Sequence, residues 1–177
     1  MRQAQIITMI AYTLIAWWYV GPWLRRLAFT RALTILLWVH VFRYSVLYIY
    51  VAQHEGYPIS GIATEELVIG DLAGAILAIV SIVALRFNWQ LGLITSWLVV
   101  LESVLDFVGA TYLRISEPPR ADATGVWWII FVYFGPLILV TLPLMVWQLS
   151  ARAKEYPLDS REVSLSGSDR SAVSGRS

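Results

Sequence analysis

Apolar stretches of about 18 or more residues, long enough for a helix to cross a bilayer, recur along this 177-residue sequence. They constrain the fold strongly, because a segment in lipid must satisfy every backbone N–H and C=O internally. Hydrophobic residues make up 58% of the chain and charged residues 14%, whereas roughly 25% of a soluble domain is charged. We therefore predict an all-α integral membrane bundle.

The sequence has room for about five spans of roughly 20 residues joined by short loops. Aromatic residues cluster near several expected span ends, as at Trp17, Trp18 and Tyr112, which is typical of membrane–water interfaces. Bulky residues near the end of the first stretch also argue against a cleaved signal peptide. We place the five transmembrane helices at Gln5–Leu24, Ala32–Val51, Glu66–Leu85, Leu91–Leu113 and Val126–Leu149.

The final part of the chain, residues 150–177, is rich in serine and contains few bulky apolar residues. Such a segment cannot bury enough apolar surface to offset its ordering entropy, so we predict a disordered C-terminal tail. The chain then divides into a five-helix transmembrane domain over residues 1–149 and this tail.

Basic residues are distributed unevenly among the connections. The second connection, residues 52–66, has no lysine or arginine. The positive-inside rule therefore places the first and third connections and the tail in the cytoplasm, with the N-terminus outside the cell membrane. Arg2 at the N-terminus and Arg114 and Arg120 in the fourth connection weigh against this orientation. The residues that favour it are Arg25, Arg26, Arg31, Arg86, Arg152 and Lys154.

Several function classes lack their sequence signals. The chain has no cysteine, which removes disulfides, thiolate metal sites and thiol nucleophiles. A net charge of +1 with dispersed basic residues provides no stripe for nucleic acid. No HExxH, GxSxG or Gly-rich phosphate motif occurs. We expect no metal, no cofactor and no nucleic-acid partner, and the lipid bilayer as the main partner; enzymatic activity and oligomeric state stay open.

Five ionisable residues nevertheless lie inside the predicted spans. A charged group near a helix centre costs about 2.5–3.5 kcal/mol on insertion scales, so such groups usually face the bundle interior and pair with one another. These candidates for binding a ligand or a proton are His40, Arg43, Asp71, Glu102 and Asp106.

Depth in the membrane predicts which of these residues meet. At about 1.5 Å per helical residue, Arg43 and Asp106 both lie roughly 10–12 Å from the same membrane surface, and His40 and Glu102 both lie about 16 Å from it. Arg43 therefore matches Asp106 in depth and His40 matches Glu102, while Asp71 is the shallowest of the set. We expect Arg43 to face the carboxylates on spans three and four. Small residues let helix backbones approach closely in lipid. Span three carries such residues at four-residue steps, at Gly70, Gly74 and Ala78.

This set contains one arginine and three acids. A dry site cannot hold the surplus negative charge, so at least one carboxyl should be protonated, hydrated or bound to a cation. His40 could carry a compensating proton, because histidine has an unperturbed pKa of about 6.5. Buried networks of arginine and carboxylates also serve in some proteins only to fix helix register. A polar functional site and a structural network both remain open.

Three segments of the sequence together resemble a family of small uncharacterised bacterial membrane proteins. They are WVHVFRY (Trp38–Tyr44), GDLAGAILA (Gly70–Ala78) and SWLVVLESVLD (Ser96–Asp106). The resemblance covers spans two to four. It implies a multi-pass protein of the bacterial inner membrane, and it brings no established activity.

We carry three hypotheses for function. The first is a buried polar site between spans two, three and four that binds a proton, cation or small polar ligand in transport or sensing. The second is an intramembrane enzyme acting on a lipid or isoprenoid, with His40 and a carboxyl as its acid–base pair. The third is a non-catalytic accessory subunit, in which the charges only hold the bundle together.

Overall fold

The computed structural model describes residues 2–55, 61–116 and 129–153, and these ranges are helical almost throughout, with no strand. The predicted all-α bundle with about five spans is confirmed. Within these ranges, five helices are long and apolar enough to cross a membrane, and we call them spans one to five: Gln3–Arg26, Phe29–Val51, Leu67–Phe87, Trp89–Tyr112 and Val132–Arg152.

Spans three and four each lie within one regular α-helix, Gly61–Phe87 and Trp89–Ser116 respectively. The other three spans each contain a segment with a different helical pitch. Span one combines Arg2–Ile15, a π-helix over Ala16–Val20, and Gly21–Arg26. Span two combines Phe29–Val41, a 3₁₀-helix over Phe42–Leu47, and Tyr48–His54. Span five combines π-helices Ile130–Phe134 and Gln148–Arg152 with the α-helix Gly135–Trp147 between them.

Two of the π-helices immediately precede a Gly-Pro pair, and proline explains them. The ring of a proline inside a helix clashes with the carbonyl four residues earlier, and a wider turn relieves that contact. Before Pro22, the N–H of Gly21 bonds to Ala16 O, and before Pro136 the turn widens in the same way. In span five this wide turn forms part of the wall of a cavity described below.

The 3₁₀ segment of span two sets the direction of Arg43. A 3₁₀-helix has about three residues per turn, so residues three apart lie on one face. Arg43 and Val46 follow this spacing within the segment, Ile49 follows it in the next α-helix, and all three are buried. The tighter pitch therefore keeps Arg43 directed at the interior of the bundle.

Spans three and four form a tight antiparallel hairpin around Asn88. The Asn88 side chain accepts hydrogen bonds from the N–H groups of Gln90 and Leu91 and so caps the start of span four. A Cβ at Gly92 would lie 2.7 Å from Leu85 Cα, so glycine is required where the two backbones approach here. This close contact holds the acids of the two helices side by side.

The apolar core fills the half of the bundle at which spans one and five end and spans two and four begin. It includes Leu33 and Leu37 of span two, Ile82 of span three, Val99 of span four and Met145 of span five. Five arginines lie at this end of the bundle, which we call the Arg-rich end: Arg25, Arg26, Arg31, Arg86 and Arg152.

Arg152 ties the last helix to the first at this end. Its Nη1 donates to Leu24 O at 2.9 Å and its Nη2 to Leu27 O at 2.8 Å, which satisfies carbonyls at the end of a helix. The helix therefore includes residues 150–152, beyond the boundary predicted at 149. The rest of the predicted tail, from residue 154, lies outside the described residues.

Candidate functional site

Arg43 forms ion pairs with three carboxylates from two other spans. Its Nε donates to Asp71 Oδ1 at 2.7 Å, and its Nη2 donates to Asp106 Oδ2 at 2.8 Å. Glu102 accepts from Nη1 at 2.5 Å and from Nη2 at 3.2 Å, which is the two-pronged geometry in which a guanidinium binds a carboxylate most strongly. We call these four residues the Arg43 cluster.

The guanidinium is buried and its donors are engaged. Arg43 is 2% exposed, whereas the side chains of its three acids are 19–21% exposed. Besides the acids, Ser103 Oγ accepts from Nη1 at 2.9 Å. All three guanidinium nitrogens therefore donate hydrogen bonds. The prediction that Arg43 faces the carboxylates on spans three and four is confirmed.

Glycines on span three provide the space for this cluster. A Cβ at Gly70 would overlap Asp106 Oδ1, and a Cβ at Gly74 would overlap both Arg43 Nη1 and Glu102 Oε2. The predicted small-residue stripe thus does more than bring helices together. It leaves room for charged groups between them.

His40 lies beside the cluster, and its partners are two hydroxyls. Its Nδ1 is 3.3 Å from Ser103 Oγ, and its Nε2 is 3.3 Å from Thr141 Oγ1 of span five. The predicted match in depth does not make His40 and Glu102 partners: Glu102 turns to the guanidinium, which offers it two charged donors. His40 reaches the next residue of span four instead and is fully buried.

A cavity of about 120 Å³ lies against one side of the cluster. This volume has room for a few water molecules, each of which takes up about 30 Å³ in the liquid. Arg43, Asp71, Asp106 and Ser103 line it together with Gln5 of span one. Most of the remaining wall is apolar and comes from spans two to five, as at Val46, Leu67, Phe107, Phe134 and Leu139.

Two acids of the cluster, Asp71 and Asp106, line this cavity. Asp71 uses Oδ1 for Arg43 and Asp106 uses Oδ2, so each retains a second oxygen. Glu102 uses both of its oxygens for the guanidinium. The two aspartates are therefore the members of the cluster best placed to exchange protons with water.

The acids surround the guanidinium and do not converge on a shared empty point. Within residues 2–55, 61–116 and 129–153, no three histidine, aspartate or glutamate side chains are arranged to hold a metal ion. Taken with Arg43, the three acids carry a formal surplus of two negative charges if all are ionised.

Sequence reasoning identified the charged members of the site and missed two hydroxyls, Ser103 and Thr141. Both residues are buried in the structure. The signal available in the sequence was a polar residue within a strongly apolar segment. Thr141 also adds span five to a site that was predicted to lie between spans two, three and four.

Comparison with known proteins assigns a family but no activity. The chain belongs to the family described as Domain of unknown function (DUF8737), which matches residues 1–150. This match takes in spans one and five as well as the segments that carried the resemblance noted from the sequence. The comparisons with curated proteins and with solved structures gave no match.

Proposed function

We propose that this member of the DUF8737 family binds and releases a proton at the Arg43 cluster, within the membrane, as part of transport or sensing. The observation that carries the proposal is the arrangement of three carboxylates around one buried guanidinium beside a cavity. Of the three ligands that the sequence left open, a proton, a cation and a small polar ligand, we favour the proton.

Charge balance supports a proton. Burying an unpaired carboxylate costs several kcal/mol, and such a group normally becomes neutral instead. One guanidinium balances one of the three acids, so the others are stabilised by protonation. Asp71 and Asp106, which line the cavity, provide places where that proton can enter and leave.

The alternative of an enzyme with an acid–base pair of His40 and a carboxyl is not favoured by the geometry. His40 is fully buried and both of its ring nitrogens have hydroxyl partners. It is not among the described residues that line the cavity. A lipid held in the cavity would therefore not reach its imidazole.

The membrane and the orientation form part of the proposal. A bacterial cytoplasmic membrane with the Arg-rich end in the cytoplasm follows from the positive-inside rule. This orientation places the N-terminus and the cavity toward the outer surface. The surrounding lipid is then the main partner, and the proton comes from the external side.

The proposal is tested with the double variant Glu102→Gln, Asp106→Asn in proteoliposomes. Neutral amides keep the shape of the acids but cannot exchange a proton at these positions. We expect wild-type protein to dissipate an imposed pH gradient, as followed by a pH-sensitive dye trapped inside, and the double variant to lose this proton flux.

Glu65→Gln is the matched control, because Glu65 is an exposed acid on the same helix as Asp71. It should keep wild-type flux. If the double variant carried the same pH-dependent flux as wild type, the cluster would not be the proton site.

A further inference from the structure

Ser103 occupies a position that the proposed function does not use. Its Oγ accepts a hydrogen bond from Arg43 Nη1 at 2.9 Å. Its own hydroxyl proton has two acceptors at equal distance, Glu102 Oε2 at 3.3 Å and His40 Nδ1 at 3.3 Å. A serine has a single proton to donate, so it can serve either the acid or the histidine.

The hydrogen bonds of Thr141 favour a neutral His40 that carries its proton on Nε2. The Thr141 hydroxyl donates to Ile138 O at 2.9 Å, and a carbonyl oxygen can only accept. Thr141 Oγ1 is therefore left to accept from His40 Nε2 at 3.3 Å. Neutral His40 then has its proton on Nε2 and a bare Nδ1 that faces Ser103.

The charged groups around His40 come from three spans. Arg43 lies on the same helix one turn away, Asp71 comes from span three, and Glu102 and Asp106 come from span four. Span five contributes the uncharged hydroxyl of Thr141.

We propose that Ser103 and His40 form a relay that moves a proton from Glu102 toward the Arg-rich end of the bundle. This relay rests on the proposed function, because the proton must first reach the cluster. It gives His40 a role as the proton acceptor that lies beyond the cavity.

The transfer balances in protons and charge. The O–H bond of the protonated Glu102 carboxyl breaks as a new O–H bond forms on Ser103 Oγ. In the same step the original O–H bond of Ser103 breaks and an N–H bond forms on His40 Nδ1. Glu102 ends as a carboxylate, Ser103 is restored as a neutral hydroxyl, and His40 ends as an imidazolium.

The direction of the relay follows from the positions of its members. His40 lies one turn closer to the Arg-rich end than Arg43, and it lies outside the cavity that contacts the aspartates. Seven residues beyond Thr141, on the same face of span five, Gln148 is fully buried, and its Nε2 has no hydrogen-bond partner within the described residues. Buried polar side chains therefore continue from Thr141 toward the Arg-rich end.

The first test uses wild-type protein in lipid bilayers with ¹⁵N-labelled histidine. We expect the nuclear magnetic resonance spectrum of neutral His40 to show the proton on Nε2, and acidification to add a proton at Nδ1. A neutral form with its proton on Nδ1 would overturn the relay, as would a His40 that gains no proton on acidification. His54→Asn removes the second histidine signal without touching the cluster.

The second test compares Ser103→Ala with Ser103→Thr in the same experiment. A positioned proton-transfer group typically contributes about 10²–10⁴ in rate, so we expect Ser103→Ala to slow proton exchange at His40 by at least about 10² and Ser103→Thr to keep it near wild type. Ser96→Ala is the matched control, because Ser96 is a buried serine on span four that donates to Gly92 O of its own helix.

The two proposals fail in different ways. Unchanged exchange in Ser103→Ala, in protein whose cluster still takes up a proton, would overturn the relay and leave the proposed function standing. Absence of any protonated carboxyl in wild type would overturn the proposed function itself. If Ser103→Ala does not fold, the Ser103→Thr exchange rate and the wild-type tautomer still decide the question.

Discussion

Arg43→Leu is expected to lower the free energy of unfolding by about 3–5 kcal/mol, because removing one partner of a buried ion pair leaves the others uncompensated. Three acids would then share the interior without a cation. Unfolding of the variant in mixed micelles, followed by circular dichroism against denaturant concentration, measures the loss. The free energy of unfolding of Arg43→Lys should lie between those of wild type and Arg43→Leu, since an ammonium keeps the charge but not the two-pronged geometry.

Arg86→Leu is the control for loss of an arginine in general. Arg86 is exposed at the Arg-rich end, so its removal should change the free energy of unfolding by no more than about 0.5 kcal/mol. Arg43→Leu protein as stable as Arg86→Leu protein would mean that the three ion pairs do not contribute to the fold.

Gly74→Ala is expected to have the second largest effect, although it adds only a methyl group. A Cβ at this position would overlap Arg43 Nη1 and Glu102 Oε2. Those atoms belong to flexible side chains, but five hydrogen bonds hold the guanidinium in place. We expect a loss of about 1–3 kcal/mol, the usual cost of overpacking, measured by the same unfolding experiment, and a shift in the pH dependence of proton flux.

Gly109→Ala provides a matched comparison on span four. A Cβ there would meet no described atom within 4 Å, and alanine is a better helix former than glycine by about 1 kcal/mol. Gly109→Ala should therefore be neutral or stabilising. Equal free energies of unfolding for Gly74→Ala and Gly109→Ala would show that the cluster does not depend on the space beside Gly74.

The sequence was sufficient to predict the five spans and the meeting of Arg43 with the acids, for physical reasons. Apolar length determines which segments can cross a membrane, and the cost of a charge in lipid forces Arg43, Asp71, Glu102 and Asp106 toward one another. The glycine steps at Gly70 and Gly74 likewise indicated where span three leaves space for groups of its neighbours.

The partner of His40 could not be predicted from depth alone. Depth estimates assume a uniform α-helical rise and rotation, whereas span two changes to a 3₁₀-helix at Phe42, directly between His40 and Arg43. The contact of Thr141 with His40 could not be predicted for another reason. Which face of span five meets span two depends on packing among all the spans, and no charged residue of span five indicated that face.

Infrared difference spectroscopy of the protein in lipid bilayers, between acidic and alkaline pH, tests the central claim most directly, because a protonated carboxyl has a C=O stretch separate from that of a carboxylate. We predict such a band in wild-type protein and its loss in the variant Glu102→Gln, Asp106→Asn, with Glu65→Gln unchanged. Identical difference spectra for wild type and the double variant would contradict the account, since the acids around Arg43 would then hold no exchangeable proton.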